Sequence, residues 1–100
     1  MNLLKQAQQL KQRMEAAQKE IESLRIEGSS DRGSIKVVMT GDKLLSSIEI
    51  DPKFLSSSNT VELEQHIVSA INEASKKAEK QASKKMKSLT GGFKIPGLGF

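Results

Sequence analysis

One hundred residues with sixteen basic and twelve acidic side chains, a net charge of +4, suffice for one small domain and no more. The chain has no Cys, Trp or Tyr, three Phe and one His, which excludes a disulfide framework, thiol catalysis and cysteine-based zinc or iron–sulfur sites. The longest apolar run is Val37-Val38-Met39, so the sequence predicts no membrane-spanning helix, no secretory signal and a cytoplasmic protein. The charge is unevenly placed. Residues 76–100 hold seven Lys and one Glu, whereas residues 1–75 hold nine basic and eleven acidic side chains. A basic segment this concentrated selects an anionic partner.

The first element in chain order is a long helix. Leu3, Ala7, Leu10, Met14, Ala17, Ile21 and Leu24 recur at spacings of four and three, a heptad seam with every core position apolar. The residues between are mostly Gln and charged helix formers. Such a helix is about 36 Å long, against a radius of gyration of ~13 Å for a compact chain of this size. It projects, and its narrow stripe asks for a helical partner.

From Arg25 the period shortens to two. Three short antiparallel strands are predicted near 23–28, 34–40 and 43–50. Turns are expected at Gly28-Ser29-Ser30-Asp31 and Gly41-Asp42, the latter because Gly tolerates the positive φ of a tight hairpin. Pro52 stops the third strand and holds Asp51 extended. Ser56-Ser57-Ser58 reads as a polar loop. Asn59 then caps a second long helix over 60–88, with Glu62 three positions on. Its apolar face starts with Leu63 and Ile67 and becomes Ala-rich. Gly91-Gly92 ends it, and residues 91–100 read as a Gly-rich flexible tail after a single domain over 1–90. The order predicts an α+β fold, α-β-β-β-α, with two long helices protruding from a three-stranded antiparallel sheet.

Catalytic signals are weak. His66 is the only histidine and reads as a surface helical residue; a base needs an orienting partner and a metal needs several ligands. Glu49 and Asp51 are two apart but have no accompanying His or aromatic floor. The glycines at 91–92 and 97–99 follow a helix instead of opening one, so they do not fit a phosphate loop. The reading is non-enzymatic, with no cofactor, no metal and no small-molecule substrate.

The lysines differ in kind. Lys76, Lys80, Lys84 and Lys87 form a stripe flanked by Lys77 and Lys85, against the single Glu79. Ammonium groups so arranged neutralise phosphates and release counterions, with little reading of base identity. The helices carry no stacking aromatics, which favours duplex over single-stranded nucleic acid, and the mostly Ala apolar face lacks the bulky anchors of a membrane-surface helix. A coiled-coil chaperone or adaptor, prefoldin-like and binding protein partners, is the alternative.

Five segments in order resemble the YbaB/EbfC family of bacterial nucleoid-associated proteins: Leu4-Lys5-Gln6-Ala7-Gln8-Gln9-Leu10, Gly33 to Gly41, Ile48-Glu49-Ile50-Asp51-Pro52, Asn72-Glu73-Ala74 with Lys76-Lys77, and Gly91 to Leu98. The resemblance implies a tweezer-shaped homodimer whose protruding helices hold duplex DNA, with a role in nucleoid organisation and gene regulation. By that similarity, DNA contacts come from both long helices. On this chain they fall at Lys5, Lys11 and Arg13 in the first, and at Lys76, Lys77, Lys80, Lys84 and Lys85 in the second. Lysine pairs lack the bidentate fork of arginine, which predicts low sequence specificity. The dimer interface is expected on the sheet's apolar face and part of the helix-one seam.

Overall fold

The computed structural model describes residues 3–90, with side chains through Leu89; the expected tail over 91–100 lies outside the described residues. The elements are α1 (Leu3–Ser23), β1 (Ile26–Ser30), β2 (Ile35–Met39), β3 (Leu45–Ile50), α2 (Pro52–Ser57) and α3 (Thr60–Thr90). The strands form one antiparallel sheet in the order β1-β2-β3. The molecule is a rod of 67 × 21 × 16 Å, because α1 and α3, about 31 and 46 Å long by residue count, outrun a sheet of five- and six-residue strands.

The core lies between α3 and one face of β1 and β2. Ile26, Ile35, Val37 and Met39 are buried there against Ala70, Ala74 and Ala78, with Leu63, Ile67 and Ile71 at the margin. Gly28 is the point of closest approach. A Cβ on it would sit 2.6 Å from Ala74 N and closer still to the Ala70 carbonyl oxygen. The alanine stripe and the missing side chain together let the helix backbone lie on the strand. Gly28 is therefore a packing residue inside β1, and the strand runs two residues past the expected end.

The turn falls at Asp31-Arg32, both at positive φ (51° and 57°), with Gly33 N–H donating to the Ser30 carbonyl at 3.2 Å. The loop is four residues long, Asp31 to Ser34, with Gly33 also at positive φ (90°) and the Ser34 N–H donating to the Asp31 carbonyl at 3.1 Å. Gly41 and Asp42 form the centre of the expected turn, closed by the Lys43 N–H donating to the Thr40 carbonyl at 3.0 Å, but Gly41 does not supply the positive φ. It is Lys43 that takes the positive φ (68°) in the β2–β3 connection, while Gly41 donates its N–H at 3.0 Å to the Ile21 carbonyl at the end of α1. A Cβ on Gly41 would be 2.9 Å from Ile21 Cγ2 and would overlap the Ile21 carbonyl oxygen. The β2–β3 pairing slips by one residue beside Met39, which stands opposite Leu45.

β3 ends before Asp51 as expected, but a one-and-a-half-turn helix follows in place of a simple loop. Asp51 is extended and accepts the Lys53 N–H at 2.9 Å, and Pro52 occupies the first turn, where its missing N–H costs nothing. Asn59 caps α3 by accepting the Glu62 N–H at 2.8 Å, and its amide reaches the Glu62 carboxylate. His66 is half-buried, unlike the surface residue expected: its Nδ1 shares a 2.8 Å hydrogen bond with Ser30 Oγ, and its ring meets the edge of Phe54 at 5.2 Å. It ties α2, α3 and the β1–β2 hairpin together.

The helices do not form a common layer on the sheet. α3 covers β1 and β2, and α1 makes its main packing against α3. Ala17 and Ile21 are the buried residues of α1. Substituting Gly28→Ala is expected to destabilise the fold by about 1–3 kcal/mol, the usual cost of forcing atoms into a packed contact. Urea denaturation measures this, and an unchanged midpoint would show that α3 does not approach β1 this closely.

Candidate nucleic-acid interface

α1 and α3 run antiparallel beyond the sheet. The Lys85 ammonium lies 2.7 Å from the Glu20 carboxylate, and one flank of the pair is lined by Arg13, Ala16 and Ala17 of α1 with Lys85, Ser88 and Leu89 of α3. At 100° per residue, Ala74, Ala78, Ala82, Met86 and Leu89 fall on the packed side of α3. Lys76, Lys80, Lys84 and Lys87 fall opposite, exposed along a shallow strip that also contains Glu79 and Ser83. Alanines facing inward bring the helix close to its neighbours, and Lys76, Lys80 and Lys84 face outward without an ion pair among the described residues.

The eight residues expected to contact DNA separate into two kinds. Lys77 donates to the Glu73 carboxylate at 3.0 Å and to the Glu27 carbonyl oxygen at 3.1 Å, so it stitches α3 to β1. Lys85 stitches α3 to α1 through Glu20. Lys76, Lys80, Lys84, Lys5, Lys11 and Arg13 are exposed and form no ion pair among the described residues. Glu79, the one carboxylate in the strip, pairs with Lys43 of the β2–β3 turn at 3.4 Å. Its charge is thereby drawn off the lysine row toward the sheet.

The α1 cations do not share one surface. Arg13 borders Ser88, one turn beyond Lys84, and so extends the α3 row. Lys11 borders the other flank, beside Leu10, Met14 and Met86. Lys5 points away from α3 by helical geometry. No group of three or more His, Cys, Asp or Glu residues suited to a metal occurs among the described residues. Ser30 and His66 are the nearest approach to a nucleophile–base pair, and His66 has no carboxylate partner among the described residues. No helix among them is long and apolar enough to cross a membrane.

A profile of the YbaB/EbfC DNA-binding family matches residues 1–93. This chain belongs to that family. It is 42% identical over 97 residues to the nucleoid-associated protein CA_C0126 of Clostridium acetobutylicum, covering 97% of this chain and 87% of the relative. It is 39% identical over 100 residues to a nucleoid-associated protein of Rhodopseudomonas palustris, covering 99% and 95%. The fold is similar to that of the crystal structure of uncharacterized protein HP0035 from Helicobacter pylori, with a TM-score of 0.77 at 17% identity, over 91% of this chain and 99% of that one.

The division of the lysines has a measurable consequence. Lys77→Met is expected to lower stability by up to about 1 kcal/mol, the range of an exposed ion pair with good geometry. Lys80→Met is expected to change it by less than about 0.5 kcal/mol. Thermal unfolding of the two variants side by side checks the distinction.

Proposed function

We propose that this protein is a non-enzymatic, homodimeric nucleoid-associated protein that binds duplex DNA with low sequence specificity, and that it acts in nucleoid organisation and gene regulation. The observation that carries the reading is the row Lys76, Lys80 and Lys84: exposed, set on the back of the packed face, and without carboxylate partners among the described residues. From Lys76 to Lys87 the row extends about 16 Å, or roughly five base-pair steps along one strand. Its donors are point charges that meet phosphates without reading bases. Arg13 continues the row from α1, and Lys5 and Lys11 add charge on other sides of the same arm. Lys77 and Lys85 contribute to the local field while holding the arm together. Membership of a DNA-binding family and relatives named as nucleoid-associated support the same partner and place.

The dimer reading rests on β3. Ile48 stands opposite Val37 and Leu45 opposite Met39, so both continue the core face of the sheet. α3 does not reach them, and they remain 42% and 44% exposed beside the still more open Leu44. An apolar core face ending at an open strand edge is completed by a second copy about a two-fold axis. Two arms, each with its own lysine row, then give the tweezer arrangement.

Fluorescence anisotropy with an arbitrary labelled duplex of about 30 base pairs tests the DNA reading. Six neutralised phosphates per dimer give a log–log salt slope of about −5. The triple substitution of Lys76, Lys80 and Lys84 by Gln is expected to weaken binding at least tenfold on every sequence and to flatten that slope. Unchanged affinity would place the contact elsewhere. For the dimer, Ile48→Glu is expected to halve the mass measured by sedimentation equilibrium, and an unaltered mass would remove β3 from the interface.

A further inference from the structure

The helix-one seam is half covered. Ala17 and Ile21 are buried, but Leu3 is 78% exposed and Met14 37% exposed. The seam opens where α3 runs out, since Leu89 lies beside Arg13 and Ala16. On the other flank of the pair an apolar groove runs from Met86 of α3 and Met14 of α1 along Leu10 to Ala7. We propose that segment 91–100 of the same chain occupies this groove and lays Phe93, Ile95, Leu98 and Phe100 along the open seam.

Length, composition and charge favour that occupant. From Arg13 back to Leu3 the seam extends about 15 Å, whereas ten residues reach about 33 Å when extended. The segment begins five residues after Met86, the α3 wall of the groove. Gly91-Gly92 permits the chain to leave the helix axis there, and Pro96 disfavours helix. The segment carries four large apolar side chains and a single charge, Lys94. Glu15 on the groove wall suits that charge. A tethered segment also meets the groove at an effective concentration in the millimolar range. The covered seam would stiffen the end of the arm that carries Lys5 and Lys11.

The chain is suited to a direct test. It has three phenylalanines, and Phe54 packs against His66 at the sheet end. A ring near Met14 must therefore belong to Phe93 or Phe100. In the full chain with labelled methionine methyls, nuclear Overhauser contacts are expected between the Met14 or Met86 ε-methyl and these rings. They should vanish in the Phe93→Leu/Phe100→Leu variant. In a one-to-one mixture of methionine-labelled chain, deuterated elsewhere, with unlabelled protonated chain, they are expected to be absent, because the contact is within one chain. No ring contact in the full chain overturns the proposal. Contacts that appear in the mixture overturn it too, by assigning the groove to another copy. No DNA is present, so neither result bears on the lysine row.

Discussion

The arrangement depends on how closely α3 approaches the sheet at Gly28. There the helix presents Ala70 and Ala74, with Ala78 one turn further on, and the strand presents no side chain at all. Large apolar residues on both sides would hold the layers farther apart. The close contact is also narrow: it buries the core face of β1 and β2 and leaves β3 exposed from Leu45 to Glu49, with only Ile50 packed against the core. The same geometry sends α3 past the sheet, where its inward alanines meet α1.

Charge follows from that packing. An Ala-rich inner face gives the outer half of α3 little apolar area, so nothing competes with lysine on the opposite face. Where a lysine falls at the edge of the packed face, as Lys77 and Lys85 do, it finds a carboxylate or carbonyl on the neighbouring element. Lys76, Lys80 and Lys84, on the back, form no ion pair among the described residues. The same side chain is thus a fastening at one angle of the helix and an open cation at another. Glu79 sharpens the difference by pairing with Lys43 instead of neutralising the row.

Much of this was legible along the chain. The heptad spacing marked α1, Asn59 with Glu62 marked the start of α3, and the alternation around Val37 marked β2, because each of these signals is local. Gly28 is ambiguous in the sequence for a physical reason: a turn and a close helix contact both call for the absence of a side chain, and only the neighbour decides which. Gly28 and Gly41 face α3 and α1, residues distant in sequence. The Asp51-Pro52 pair carries a cap-and-first-turn signal for α2 as well as a stop for β3, since an extended residue before Pro serves both. His66 looked like a surface residue because Ser30 and Phe54 come to it through tertiary packing.

What the sequence by itself determined was the order of the two long helices and three strands, the α+β class, the basic character of the second long helix and the family. These rest on periodicity, capping and local charge, which survive without knowledge of the neighbours. Only the tertiary structure decided which lysines are spent on internal contacts, which strand stays open and where the seam of α1 loses its cover. Those properties depend on the rotation of each helix about its axis and on where one element ends beside another. Both are set by the packing of backbone against backbone at Gly28 and Gly41.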